Sequence, residues 1–460
     1  MKTSLVKIYL CSLTLSIFLF SCKTNSSRTD QYAYNLGVVG GFSELINAGV
    51  KHLALSPAMS KAEMDSFILD AKEVADKYGV AVYRELNLIV TDLFPADIAK
   101  DKEVLVLYKG TSLDEYLSLK ADQERLKESG KLDDITSRML ARRYGRMLSY
   151  SPRKINKLLA ENTTYRTMDD FGIIANNLFL YYKDLKAAGE FYTQILGMEI
   201  VADYEMALIL RMTQDSYLIL VDAANGMHTA DEPKTVALAL LTDQLEEWYT
   251  YLQNQKVQIK YSYKPKAGSA HDGFVIVDPE GYLLEIERFN QHPENEKFVP
   301  LLALNKENII QNSDKSKAPK GLHFHSTITW LYYKDVLAMQ NFYQDILGLE
   351  MVADQGWTKI YKVSESGFIA IVDERQGMHN FTENKAVNVG FIINQLSPWF
   401  EYVKEHKVIE LRKSEFNIDS ENRYKAFVAF DPESYYLEFD SFLPHDDNTL
   451  LMNYLNTTRN

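Results

Sequence analysis

From Asn177 to Tyr182 the chain reads Asn-Leu-Phe-Leu-Tyr-Tyr, the aromatic and apolar run of a short strand. After Lys183-Asp184, apolar residues stand at Ala188, Phe191, Tyr192 and Ile195. Those spacings of three, four and seven share one helix face, and Gly197 ends the helix. Three strands follow, the clearest from Tyr217 to Val221. A second strand–helix–strands half opens near Val236, and its helix carries Trp248, Tyr251 and Leu252. The last strand, Tyr282 to Glu287, follows Asp278-Pro279-Glu280-Gly281, residues that favour a turn.

The whole succession then returns, which marks a duplicated domain. Tyr181-Tyr182-Lys183-Asp184 recurs as Tyr332-Tyr333-Lys334-Asp335, an offset of 332 − 181 = 151. Phe191-Tyr192, Ile195-Leu196-Gly197, Val201-Ala202-Asp203, Gly226-Met227-His228 and Trp248 all recur at the same offset. Asp278-Pro279-Glu280 recurs as Asp431-Pro432-Glu433 at 153, so one copy has gained two residues before its last strand. The second copy has Ser434 in place of Gly281, and the half opening near Val387 carries Trp399, Tyr402 and Val403. The repeat divides the chain into a first module (172–290), a linker (291–321), a second module (322–443) and a tail (444–460).

Ahead of the repeat, residues 35–165 read as a small mixed α/β domain. Val50 to Ser56, Val80 to Leu88 and Glu103 to Tyr108 are expected strands, Ala62 to Lys77 an amphipathic helix, and Ser112 to Met147 helical. Gly40-Gly41 and Lys109-Gly110-Thr111 are loop signals without phosphate-loop spacing.

The first residues change the picture. Lys2 and Lys7 precede an apolar run from Ile8 to Phe20, too short to span a bilayer but suited to a secretory signal. Ser21-Cys22 then resembles a bacterial lipobox. This implies a signal peptide (1–21), a lipidated Cys22, a flexible tether (22–34) and membrane attachment at the cell envelope. The other cysteine, Cys11, lies inside the signal, so the mature body has no disulfide, thiolate zinc site or Cys nucleophile. A net charge of -13 argues against nucleic acid as a partner. The basic stretch from Arg138 to Lys157, including Arg142, reads as a solvated helix face.

The strand ending in Lys-Asp, the Phe-Tyr helix leading into Ile-Leu-Gly and the closing Asp-Pro-Glu…Leu-Glu strand together resemble the vicinal oxygen chelate superfamily: glyoxalases, bleomycin-resistance proteins and extradiol dioxygenases. The resemblance implies an α+β fold of tandem βαβββ modules, whose curved mixed sheets enclose a cavity. It places metal ligands late in the last strands, at Glu285 and Glu438, and early in the first strands, at Asn177 and Ile328. Neither is the His, Gln or Glu that the family uses there. The strands near Val236 and Val387 also lack His. A divalent metal ion is the implied cofactor, with His228 and His379 as candidate further ligands. The other histidines read as non-repeating.

Alternation along the strands turns Asn177, Phe179 and Tyr181 into one cavity and Ile328, Trp330 and Tyr332 into another. Glu285 shares a face with Glu287, and Glu438 with Tyr436 and Asp440. Trp357 stands as a lid at the rim. An aromatic cavity with an acidic floor suits a planar or cationic small molecule. Two function classes remain: an anchored binding protein, or a metal-dependent lyase, isomerase or dioxygenase. Modules pairing within one chain and modules pairing in a homodimer are equally compatible with the linker.

Overall fold

The computed structural model describes residues 31–95 and 97–457; the expected signal segment and Cys22 lie outside the described residues. Contacts divide the chain into two compact units. The first holds the residues up to Val90, Ala96–Gly130 and Met147–Ser149; the second holds Thr91–Pro95, Lys131–Arg146 and everything from Tyr150. None of the described helices is long and apolar enough to cross a membrane.

In the first unit the order is α1 (Gln31–Asn47), β1 (Leu53–Leu55), α2 (Lys61–Asp76), β2 (Ala81–Glu85), β3 (Val104–Tyr108) and α3 (Ser112–Glu128). The three strands form an antiparallel sheet in the order β1-β3-β2. Val39 and Ile46 of α1 and Met64, Phe67 and Ala71 of α2 bury against Leu105 and Leu107 of β3. Two expectations fail here. The helix α1 overlaps the end of the expected tether, and Gly40-Gly41 sits inside it rather than in a loop. A Cβ on Gly40 would lie 3.4 Å from Val74 of α2, so this glycine faces that helix.

The second unit starts with α4 (Asp134–Met147) and α5 (Pro152–Asn162), so the expected domain limit at 165 falls too late. Arg142 does not lie on a solvated face. It is buried, pairs with Asp345 at 3.0 Å and donates to Asn156 at 2.7 Å.

Four strand–helix–strands quarters follow. The first has β4 (Ile173–Tyr182), α6 (Leu185–Glu190), β5 (Glu199–Asp203), β6 (Ala207–Arg211) and β7 (Ser216–Asp222). The second has β8 (Val236–Leu241), α7 (Leu245–Asn254), β9 (Gln258–Tyr261), β10 (His271–Val277), β11 (Leu283–Phe289) and α8 (Phe298–Asn305). The third has β12 (Ser326–Tyr333), α9 (Val336–Asn341), β13 (Glu350–Asp354), β14 (Thr358–Lys362) and β15 (Gly367–Asp373). The fourth has β16 (Val387–Ile393), α10 (Leu396–His406), β17 (Glu410–Leu411), β18 (Asn417–Ile418), β19 (Tyr424–Phe430), β20 (Tyr436–Phe442) and α11 (Thr449–Thr457).

The sheets do not follow the copies. One runs β13-β14-β15-β12-β8-β11-β10-β9, the other β17-β19-β20-β16-β4-β7-β6-β5, with β18 beside β19. Each sheet therefore joins a half of one copy to a half of the other, through the antiparallel pairs β12–β8 and β16–β4. The copies pair within one chain, and the expectation that each module closes its own cavity is corrected.

Ties within each copy run the other way. Tyr182 and Tyr192 both donate to the buried Asp278, at 2.7 and 3.1 Å. In the second copy Tyr333 donates to Asp431 at 2.6 Å and meets the Tyr343 hydroxyl at 2.8 Å. The carboxylates of Glu280 and Glu433 accept from the backbone N–H groups of Lys183-Asp184 and Lys334-Asp335. Tyr282 then crosses the seam: its hydroxyl accepts from Tyr181 N–H at 3.0 Å and donates to the Ala386 carbonyl at 2.6 Å. Tyr435 makes the matching bridge from Tyr332 N–H to the Thr235 carbonyl. The repeated Tyr-Tyr-Lys-Asp, Phe-Tyr and Asp-Pro-Glu motifs are thus the fasteners of the fold, since buried hydroxyls and carboxyls are stable only when partnered.

The repeat also extends past its expected ends. The linker contains α8 and the tail contains α11, each following a short 3-10 turn capped by a histidine ring nitrogen, His292 or His445. These two histidines repeat at offset 445 − 292 = 153, contrary to the reading that only His228 and His379 do. Phe298 and Leu302 of α8 bury against the first sheet, and Leu451 and Leu455 of α11 against the second.

A fragment spanning α5 to α8 alone leaves one edge each of β4 and β8 unpaired, a ready template for self-association. It should elute as a dimer or aggregate in size-exclusion chromatography with light scattering. A compact monomer would contradict the cross-copy pairing.

Candidate functional site

The seam strands place the candidate residues. On β4, Asn177 lies opposite Gly390 and Phe179 opposite Asn388; on the far side of β16, Gly390 lies opposite Glu438. Phe179 and Tyr181 from the first copy and Glu438, Asp440 and Phe442 from the second line one cavity of about 400 Å³. Tyr424 and Met227 complete its wall, and the guanidinium of Arg412 stands at the rim. Glu285 and Glu287 line a different cavity, of about 470 Å³, with His271, Gln355, Trp357 and two lysines, Lys264 and Lys266. One pocket shared by all candidates is therefore not what the fold builds.

In the first cavity both acids are buried, Glu438 at 5% and Asp440 at 2% exposure. The Asn388 amide donates to Glu438 at 2.5 Å and the Asn177 amide to Asp440 at 2.8 Å. Asn177 reaches Asp440 by crossing β16 at Gly390, where a Cβ would come within 2.0 Å of the Asn177 side-chain oxygen. Burial pushes the Glu438 carboxyl up to about 7, against the opposing pull of the Asn388 amide and Arg412. Burial, then the neighbouring Glu438, pushes Asp440 well above the usual range, and the Asn177 amide opposes this. Desolvation wins because each acid has a neutral amide and no ion-pair partner among the described residues.

In the second cavity the equivalents of Asn388 and Asn177 are Ala237 and Ile328. Glu287 is buried with one oxygen unbonded, and His271 Nε2 lies 4.0 Å from its other oxygen. Burial pushes Glu285 up to about 7; only the Trp330 indole opposes the shift, and that N–H makes no hydrogen bond within normal geometry. Ile328, Trp330 and Tyr332 pack into an apolar cluster with Phe289, Phe298 and Phe368. Here α8 and the aromatic side chains form core where the sequence suggested open walls. Trp357 does stand at this cavity's edge.

His228 and His379 flank Tyr181 and Tyr332, with ring centroids 5.0 and 5.1 Å apart. The preceding glycines explain the motif: a Cβ on Gly226 would meet the Tyr181 ring at 2.6 Å, and one on Gly377 the Tyr332 ring at 2.4 Å. His228 is held by Glu232 at 2.7 Å and packs against Tyr436 at 4.4 Å. Burial lowers both imidazoles, His379 to about 4.

These donors do not assemble the expected metal site. Glu285 and Glu438 belong to different sheets and cannot share an ion. Among the described residues, the only three acid or imidazole groups whose ligand atoms lie within 4.8 Å of one another are Glu421, His445 and Asp447, away from both cavities. Val236 and Val387 face away from the cavities into the core beneath the helices. Their neighbours Ala237 and Asn388 take the inward positions. The sequence reading was one residue out there, and so it missed Asn388; it also missed Arg412 and Tyr424. The two copies differ at all three positions, with Ala237, Tyr261 and His271 as equivalents, and that difference was the available signal.

Residues 174–286 match the Glyoxalase/Bleomycin resistance protein/Dioxygenase superfamily. That span runs from β4 into β11. No curated protein matches the chain. Solved structures similar to it include glyoxalase I from Zea mays, 13% identical with a TM-score of 0.40, covering 61% of this chain and 95% of that one. Lactoylglutathione lyase from Agrobacterium tumefaciens is 22% identical with a TM-score of 0.21, covering 24% and 90%. A glyoxalase/bleomycin resistance protein/dioxygenase from Alicyclobacillus acidocaldarius is 17% identical with a TM-score of 0.21, covering 25% and 90%.

The raised acids have a sign that can be tested. A carboxyl whose folded value lies above its unfolded one contributes stability that is complete at low pH and is lost as pH rises through the folded value. Urea stability should therefore fall between about pH 5 and about pH 8, by up to about 1.4 kcal/mol per pH unit for each proton involved. Glu438→Gln should flatten part of that slope. The lowered histidines act oppositely below their unfolded value, so the variant–wild-type difference is the quantity to compare. An unchanged slope in the variant would contradict the assignment.

Proposed function

We propose that this protein binds a small organic molecule in the first cavity, between strands supplied by both copies, and that it does so at the cell envelope, tethered through a lipid on Cys22. One observation carries the binding reading. A hollow of about 400 Å³ has ring-bearing walls, Phe179, Tyr181 and Tyr424, and two buried carboxyl groups with no ion-pair partner among the described residues. A core filled for stability alone would close such a space, because voids and unpaired buried acids both destabilise. Concave, largely apolar sites with a few polar groups are typical of small-ligand binding. The anchoring reading is supported by the apolar run and the Ser21-Cys22 pair. The metal-dependent enzyme reading finds no support in the donor set, because Glu285 and Glu438 lie in different sheets.

Ile219 lines the first cavity from β7, away from both acids. Ile219→Trp should fill the hollow at a stability cost of about 1–3 kcal/mol while abolishing ligand retention. The check is native mass spectrometry of the full chain against a library of aromatic small molecules. Retention of the same ligands by the filled variant would refute the assignment. For the anchor, Cys22→Ser should abolish incorporation of labelled palmitate and release the protein from the membrane fraction. Labelling that persists in the variant would refute it.

A further inference from the structure

The two cavities differ at the positions that decide ligand charge, and the inference from that difference rests on reading the first cavity as a small-molecule site. Glu438 and Asp440 stand two residues apart on one strand face, both toward the hollow. Each is bonded by one neutral amide, Asn388 or Asn177. The groups facing the pair from the surrounding elements can be named. Tyr181 and Asn177 come from β4, Tyr204 from the turn between β5 and β6, Asn388 from β16, Tyr424 from β19, Arg412 from the segment after β17 and His228 from the loop before β8. Only Arg412 and His228 are basic. Arg412 is exposed at the rim, where it contacts the Met227 sulfur at 3.3 Å and stands 5.6 Å from the Tyr436 ring, with no ion pair to either acid. His228 is buried and bonded to Glu232, and desolvation lowers its basicity against the opposing pull of that carboxylate.

The second cavity inverts this design. Its acids have no amide donors, because Ala237 and Ile328 replace the asparagines, and lysines stand at its mouth. Amide donors favour the charged form of an acid, and the second pair has none.

We propose that the first cavity is selective for a ring-bearing organic cation, which seats its charge beside Glu438 and Asp440 and displaces a proton held by that pair to solvent, and that the second cavity does not bind cations. The cation is the ion-pair partner the acids lack among the described residues, and the rings of Phe179, Tyr181 and Tyr424 line the same hollow. The proton leaves because a carboxylate beside a cation is stabilised relative to its acid. Affinity then rises with pH, up to about tenfold per pH unit for one proton displaced.

Isothermal titration of the full chain with para-hydroxyphenyl-trimethylammonium and its uncharged isostere para-tert-butylphenol tests this. Buffers of different ionisation enthalpy report the protons released. The expected result is one cation per chain, bound at least about tenfold more tightly than the isostere at about pH 8 and progressively weaker toward about pH 6. Release of protons should accompany binding. Glu438→Gln with Asp440→Asn should remove the preference, and Glu285→Gln with Glu287→Gln should leave it unchanged. The pH dependence of the unmodified protein provides a readout that needs no variant to fold. Equal affinity for the two probes, or loss of binding only in the Glu285/Glu287 variant, would overturn the cation assignment and leave the small-molecule site standing. Failure of both probes to bind would overturn both.

Discussion

The fold depends on two antiparallel strand pairs, β4 with β16 and β8 with β12, each joining one copy of the repeat to the other. Every other feature of the second unit answers to them. They carry each sheet across the copies, while the Tyr–Asp clamps at Asp278 and Asp431 tie the two halves of each copy together. The two sets of ties are crossed, so neither copy can leave without breaking a sheet, and neither sheet can leave without breaking the clamps. Tyr282 and Tyr435 lie where the two sets meet, each bonded to its own copy on one side and the other copy on the second.

That seam also explains the chemistry. A cavity bounded by strands of both copies can diverge on one side without disturbing the other. Asn177 reaches Asp440 only because Gly390 offers no side chain between them. In the other sheet the same crossing is occupied by Ala239, facing an Ile where the Asn would be. One acid pair consequently has an amide donor for each carboxyl, and in the other an alanine and an isoleucine stand at those positions. Duplication supplied two equal frames, and substitutions at a handful of inward positions made them chemically unequal.

The duplication, the quarter-by-quarter order of strands and helices, and the inward direction of Phe179, Tyr181 and Glu438 were legible in the sequence, because they rest on period and repeat offset. The pairing of halves was not. A strand's pattern states which face is buried but not which strand lies beside it, so nothing in it brings Asn177 to Asp440. The same limit turned Trp330 from core into wall. The helices α8 and α11 were missed as a linker and a tail because their apolar residues cover a sheet face that only the folded seam creates. In the first unit, α1 was hidden by three glycines (Gly37, Gly40 and Gly41) whose helix-weakening effect is outweighed by the burial of Val39 and Ile46.

Carboxyl-carbon NMR titration of Glu438 and Asp440 in the free protein is the most direct test of an acid pair buried at the seam without a counter-ion. Glu438 is expected to ionise near 7 and Asp440 well above the ordinary carboxylate range. If both groups ionise independently in the ordinary carboxylate range, then either a cation already neutralises them or they face water, and the account is wrong.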